Sequence, residues 1–79
     1  MENVKILLDS IDKVKSFVNT VSKFDFDFDL RSGRYIIDAK SIMGIFSLNL
    51  SDPIELQIHA GDSTNLEEVM ESIKPYIVD

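Results

Sequence analysis

The chain has 79 residues, which allows one domain with a modest core, and its apolar fraction of 44% predicts a folded chain. Its 14 acidic and 8 basic residues give a net charge of −6, which disfavours nucleic acids and anionic membranes as direct partners, since both attract basic surfaces. Without cysteine, a basic leader or a bilayer-length apolar run, the sequence predicts a single cytoplasmic domain over residues 1–79.

The first predicted elements are a strand and an amphipathic helix. Val4, Ile6 and Leu8 alternate with other residues, as in a strand. Asp9 or Ser10 then offers a helix N-cap. Behind the cap, apolar residues recur at spacings of three and four, which predicts a helix with one buried face: Ile11, Val14, Phe17, Val18 and Val21.

A hairpin of two strands is predicted next. Apolar residues and aspartates alternate over residues 24–30, a period of two that is typical of a half-buried strand. Residues 31–34 predict the turn, because Gly33 can adopt a positive φ. On the returning strand, Tyr35, Ile37 and Ala39 are expected to face the core.

Two helices and a strand complete the prediction. Ser41 is expected to cap a short helix that ends near Asn49. A fourth strand follows over residues 54–59, and residues 61–63 interrupt the chain. Thr64 and Glu67 then form a capping box for a last helix, which Pro75 should disturb.

This βαββαβα order predicts an α+β open-faced sandwich, in which a four-stranded, mostly antiparallel sheet carries three helices on one face. Polar residues at alternate strand positions would then occupy the other, solvated face: Asp25, Asp27, Asp29, Glu55, Gln57 and His59.

The stretch K-S-I-M-G-I-F-S-L at residues 40–48 resembles the second-helix signature of HPr, the small phosphocarrier of the bacterial phosphoenolpyruvate sugar phosphotransferase system. The T-V-S-K-F stretch at residues 20–24 is similar to the end of the first HPr helix. Asp38-Ala39 resembles the end of its third strand, and the L-E-E-V-M stretch at residues 66–70 sits where its last helix belongs. The resemblance covers nearly the whole chain and implies the same open-faced sandwich.

The chemical motif of the family is absent from this chain. HPr proteins carry a G-I-H-A-R-P-like motif whose histidine accepts phosphate. Counting back from residues 20–24 puts Ser10 at the histidine position, Asp12 at the arginine position and Lys13 at the proline position. A serine phosphate is an ordinary ester that would not be passed on, so no residue here inherits the acceptor role. We expect a non-enzymatic protein that needs no cofactor.

Ser41 is the matching position for the serine that an ATP-dependent kinase phosphorylates in HPr proteins, as the resemblance implies. A phosphate there would add charge beside an apolar surface formed by Ile42, Met43 and Phe46. The resemblance also implies that this helix and the start of the first helix form the partner-docking face. Alternatively, Ser41 only caps its helix and the three apolar residues belong to the core.

Two other groups of residues are interpreted as surface. Alternate carboxylates on one strand, as at Asp25, Asp27 and Asp29, lie about 7 Å apart, too far to share a metal ion without other ligands. His59 is the single histidine and has no predicted nucleophile beside it, so it forms no catalytic triad. No metal site is therefore predicted.

Three functional hypotheses follow. The first is an HPr-like protein without phosphocarrier activity, similar to catabolite-repression HPr, which binds phosphotransferase-system components, an HPr kinase or a transcription repressor. The second is a phosphocarrier with an atypical acceptor, such as Asp9 forming an acyl phosphate. The third is an unphosphorylated scaffold.

Overall fold

The computed structural model describes residues 2–59 and 66–78, and its elements follow the predicted order. The strands are β1 (Glu2–Ile6), β2 (Asp27–Ser32), β3 (Tyr35–Asp38) and β4 (Ile54–His59). The helices are α1 (Ile11–Val21), α2 (Ile42–Phe46) and α3 (Leu66–Ile73), and a short 3-10 helix, Lys74–Tyr76, follows α3. The predicted α+β fold class is therefore confirmed.

The four strands form one antiparallel sheet in the order β1-β4-β2-β3. Phe28 and Leu30 of β2 lie directly opposite Ile58 and Leu56 of β4, and all four side chains are buried. Because neighbouring residues of a strand point to opposite faces, the residues between them form a polar second face. The alternation in the sequence therefore identified both faces of the central strands correctly.

The helices cover the apolar face of the sheet. α1 buries Val14, Phe17 and Val21, which recur at the spacing that places side chains on one side of a helix. α2 buries Ile45, and α3 buries Val69 and Ile73. These side chains join the inward strand residues in a single hydrophobic core.

The two edges of the sheet differ. Along β1, the chain after α3 covers the edge: the Val78 N–H donates to the Lys5 carbonyl, and the Leu7 N–H donates to the Tyr76 carbonyl, both at 2.9 Å. Ile77 also forms an isolated bridge with Ile6. At the opposite edge, β2 is the strand with which β3 pairs among residues 2–59 and 66–78.

Strand β2 begins three residues later than the alternation predicted. After α1 the chain turns, and the Phe24 N–H donates to the Val21 carbonyl at 3.2 Å. The rings of Phe24 and Phe26 are partly buried and lie 6.0 and 5.0 Å from that of Phe28. The alternation of apolar and acidic residues therefore begins in an aromatic cluster that precedes the strand.

The β2–β3 hairpin turn spans residues 32–35, one residue later than the predicted 31–34. Ser32 and Tyr35 are paired, so the turn residues are Gly33 and Arg34. Gly33 has a φ of 60°, which confirms the predicted positive φ. A glycine with positive φ at the first central position is typical of a type II′ hairpin turn.

The prediction that Tyr35 faces the core is wrong, because its side chain is 70% exposed. Its parity matches that of Ile37 and Ala39, which are half-buried and buried. Tyr35, however, belongs to the last pair of the hairpin, beside residues 47–49, which follow α2, and beyond the cover of the core. Parity predicts the face of a sheet but not how far the helices extend over it.

Helix α2 ends earlier than the predicted limit near Asn49. Its last residue is Phe46, and the N–H groups of Ser47 and Leu48 bond to the carbonyls of Gly44 and Ile45 in tighter three-residue turns. The predicted break at residues 61–63 and the Thr64 half of the capping box lie outside the described residues.

Candidate functional site

Ser41 is the N-cap of α2, as predicted. Its backbone is extended, and its Oγ accepts a hydrogen bond from the Gly44 N–H at 3.2 Å. This bond satisfies one of the first-turn donors that have no partner within the helix. Ser41 as a residue is half-buried, between the core and the exposed surface.

The apolar residues of α2 divide between core and surface. Ile45 is fully buried and Ile42 packs partly against the core. In contrast, Met43 is 77% exposed and Phe46 is 41% exposed. We call these two residues the α2 patch. A helix can bury only one of its faces against the core. Because apolar residues occur on several faces of this five-residue helix, some of them remain in solvent.

Lys40 precedes Ser41 in sequence, but its ammonium group is engaged elsewhere. Its Nζ donates to the Phe24 carbonyl at 2.7 Å and lies 5.9 Å from the centre of the Phe28 ring. Lys40 therefore ties the start of α2 to the chain between α1 and β2.

Ser10 is the N-cap of α1, one of the two predicted candidates. Its Oγ accepts from the Lys13 N–H at 3.1 Å. Beside it, the exposed Lys13 ammonium pairs with the Asp9 carboxylate at 3.1 Å, and Asp12 is exposed in the first turn. The start of α1, which Ser10 caps, thus carries one exposed ion pair and one further exposed carboxylate.

Ser10 and Ser41 both belong to the helical layer, in which α1 and α2 are in contact. No hydrogen bond joins the two serines within residues 2–59 and 66–78. Each hydroxyl accepts a hydrogen bond from its own helix. Geometrically, the two positions are independent caps on neighbouring helices.

His59 lies on the polar face of the sheet, as its parity predicted. Its Nε2 is 2.7 Å from Oδ2 of Asp29, and both side chains are about one-third exposed. Asp27 and Asp38 line the same shallow depression. His59 is therefore on the opposite side of the sheet from Ser10 and Ser41, which lie in the helical layer.

The contact between His59 and Asp29 was missed at the sequence level. Asp27 is the direct partner of His59 in the β2–β4 register, and Asp29 lies diagonally from it. Diagonal neighbours on one sheet face are within reach of long side chains. The strand register, had it been predicted, would have indicated the pair.

None of the helices within the described ranges has both the length and the apolarity needed to cross a bilayer. Among the same residues, no group of three or more histidine, cysteine, aspartate or glutamate side chains could hold a metal ion.

Comparison with protein families gives a match to the family described as "PTS HPr component phosphorylation site" over residues 13–79. Among solved structures, HPr-C-His from Thermoanaerobacter tengcongensis is 28% identical, with a TM-score of 0.76 over 95% of this chain and 89% of that chain. The phosphocarrier protein HPr from Bacillus anthracis str. Ames is 25% identical, with a TM-score of 0.69 over 98% of this chain and 94% of that chain. A search of curated proteins gave no match.

The family match covers most of the chain, and the similar structures have the same open-faced sandwich. Proteins of this family are phosphocarriers rather than catalytic enzymes, and they interact with other proteins of the phosphotransferase system. This chain therefore belongs to the HPr family of the phosphotransferase system.

Proposed function

We propose that this protein is a cytoplasmic HPr-family member that binds partner proteins through the α2 patch and does not carry phosphate at Ser10. Phosphorylation of Ser41 would regulate that binding. The observation that carries the proposal is the exposure of Met43 and Phe46 on the helix that Ser41 caps. Exposed apolar side chains grouped on one short element are typical of contact surfaces.

The surroundings of Ser10 support the loss of phosphotransfer. Relay between proteins needs a donor of high transfer potential, such as a phosphorylated imidazole, and serine forms an ordinary ester. The Ser10 hydroxyl already accepts the Lys13 N–H, and the carboxylate of Asp12 would repel a phosphate placed there. The lone histidine lies on the other sheet face and is paired with Asp29.

The surroundings of Ser41 support a regulatory role. A phosphate there would add about −1.5 to −2 charge next to the α2 patch. The Lys40 ammonium bonds to the Phe24 carbonyl, so the new charge would be presented outward instead of being neutralised by the adjacent residue. A partner that offers arginine or lysine should then bind better, and a partner that docks by apolar contact alone should bind less well.

The kinase experiment tests the regulatory part of the proposal. The protein is incubated with an HPr kinase and ATP, and the modified residue is mapped by mass spectrometry. We expect phosphate on Ser41, complete loss of labelling in Ser41→Ala, and unchanged labelling in the matched control Ser47→Ala at the other end of α2. Absence of modification at Ser41 would leave the switch without support.

The phosphoenolpyruvate experiment tests the loss of phosphotransfer. With radiolabelled phosphoenolpyruvate and catalytic Enzyme I, we expect no acid-labile label on the chain. Stoichiometric label that disappears in Asp9→Asn would instead establish the atypical phosphocarrier, with an acyl phosphate on Asp9. Asp9 is exposed and pairs with Lys13, so this variant removes a surface ion pair and leaves the core intact.

Partner capture separates a regulatory module from a scaffold. A transcription repressor or a phosphotransferase-system protein that responds to Ser41 phosphorylation supports the regulatory role. Binding that is the same before and after phosphorylation, and that Met43→Glu does not weaken, would favour a scaffold using another surface.

A further inference from the structure

We propose that the free edge of β3 pairs with the β3 edge of a second copy of this chain, which forms a weak two-fold dimer with a continuous eight-stranded sheet. This inference concerns a different surface from the α2 patch and does not depend on the proposed function.

The hydrogen-bond register identifies which backbone groups β3 directs outward. Ser32 and Tyr35 close a two-residue hairpin, and such closing pairs exchange hydrogen bonds. The Ala39 N–H, four residues after Tyr35 and just past the end of β3, donates to the Phe28 carbonyl at 2.9 Å in the same phase. Since bonded and non-bonded pairs alternate, the N–H and C=O groups of Ile36 point away from β2.

The edge is open at Ile36. The Ile36 side chain is 59% exposed, and within the described ranges no other backbone group bonds to its outward N–H and C=O. At the other edge of the sheet, the chain after α3 bonds to Lys5 and Leu7. Proteins commonly cover an edge strand or place lysine or proline on it. β3 has neither residue, and in the part of the chain that the structure describes no segment bonds along its outer edge at Ile36.

The side chains of β3 are complementary to those of a second β3 strand related by a two-fold axis. An antiparallel pairing centred on the outward groups of Ile36 puts Ile36 opposite the same residue of the second copy. In that register, Arg34 at the hairpin turn comes next to the end of the second copy's β3, opposite Asp38, and the reverse pair forms at the same time. The contact there is between the two charged side chains, because the Asp38 carbonyl already accepts the Ser41 N–H at 3.0 Å. Tyr35 lies opposite Ile37 on the helical side.

Charge favours a second copy over an unrelated strand. Arg34 and Asp38 have no ion pair with another side chain within the described ranges, although Asp38 accepts a hydrogen bond from the Lys40 N–H. The two-fold register pairs both charges twice, whereas a strand without this pattern would leave them unmatched. Isologous contacts of this kind are self-complementary and close at two subunits.

The interface is small, because β3 has only four residues. Small interfaces give weak and transient association, so the dimer should form at high protein concentration. Sedimentation equilibrium from about 10 µM to about 1 mM covers this range, and we expect the average mass to rise from 9.0 kDa towards twice that value.

Charge reversal gives the decisive test. Arg34→Glu and Asp38→Lys should each abolish association, because each creates two like-charge pairs across the axis. An equimolar mixture of the two variants should associate again, since every cross-strand pair in the mixed dimer is then of opposite charge. Lys15→Glu, on the exposed side of α1, is the control with the same charge change as Arg34→Glu and should associate like the unaltered chain.

An NMR titration localises the contact. The amide of Ile36 should shift with protein concentration, and that of Lys5 on the covered edge should not. A constant 9.0 kDa mass with an unchanged Ile36 amide would overturn the proposal. A dimer that Arg34→Glu leaves intact, or a mixture of the two variants that stays monomeric, would also overturn it. A chain that stays monomeric while an acidic extended peptide shifts the Ile36 amide would show that the edge binds a different partner, which overturns the proposal as well.

Discussion

At the scale of single residues, the cap at Ser41 also constrains the residue that donates to it. A Cβ added at Gly44 would lie 3.2 Å from the Ser41 Oγ and 3.3 Å from Cδ1 of Ile37. Both distances are tighter than ordinary van der Waals contact. The absence of a side chain at Gly44 therefore lets α2 approach β3 closely while the Ser41 hydroxyl keeps its hydrogen bond.

The Ser41 cap should be measurable as stability. We expect Ser41→Ala to lower the free energy of unfolding by about 1 kcal/mol, because the Gly44 N–H loses its acceptor. Ser41→Asp should stay within about 0.5 kcal/mol of the unaltered protein, since aspartate is an equally good cap. Urea denaturation checks both variants. Equal losses would mean that the hydrogen bond does not stabilise α2.

At the scale of elements, β2 provides a matched pair of positions on opposite sheet faces. Phe28→Ala should cost about 3–5 kcal/mol, because its fully buried ring leaves a cavity under three aromatic and cationic neighbours: Phe24, Phe26 and Lys40. Asp27→Ala, at the adjacent exposed position, should change stability by less than about 0.5 kcal/mol. Urea melts of the two variants are compared directly, and similar losses would contradict the register.

Helix α2 offers a second matched pair, which separates packing from docking. Ile45→Ala should cost about 2–5 kcal/mol, because Ile45 is fully buried. Met43→Ser should leave stability within about 0.5 kcal/mol, because Met43 is mostly in solvent. Urea denaturation of both variants measures the two losses of stability. A large loss for Met43→Ser would mean that this side chain packs in the core and cannot be a docking residue.

The sequence predicted elements better than their limits. Alternation identified both faces of β2 and β4, since burial on one face imposes a period of two. It could not show that Phe24 and Phe26 precede the strand, because an aromatic cluster can keep the same spacing without pairing. Tyr35 has the inward parity of its strand but is exposed, because the helices do not extend over it. The extent of that cover depends on where α2 ends, which the alternation in β3 does not indicate.

At the scale of the whole molecule, the least predictable contacts join residues far apart in sequence. Lys40 reaches the Phe24 carbonyl, and the hydroxyls of Ser16 and Tyr76 share a hydrogen bond across a separation of 60 residues. Neither contact has a local signal, because each depends on the final placement of helices on the sheet. The caps at Ser10 and Ser41 were predictable because their hydrogen bonds span three residues.

Tyr76 connects the carboxyl-terminal chain to both layers of the fold. Its ring packs edge-on against Phe17 of α1 with 5.4 Å between centroids, its hydroxyl bonds to Ser16, and its carbonyl accepts the Leu7 N–H that follows β1. Removal of the Tyr76 side chain should therefore weaken both the packing of α1 and the cover of the β1 edge.

Two substitutions at Tyr76 divide these contributions. Tyr76→Phe keeps the ring and should cost about 1 kcal/mol, the usual net value of one hydrogen bond. Tyr76→Ala removes the ring as well and should cost about 3–5 kcal/mol. In hydrogen exchange, Tyr76→Ala should also speed exchange of the Leu7 amide more than that of Ile58 in the central strand β4, because loss of the anchor frees the covering segment first. Equal acceleration at both amides would indicate that the carboxyl-terminal cover and the core open as one cooperative unit.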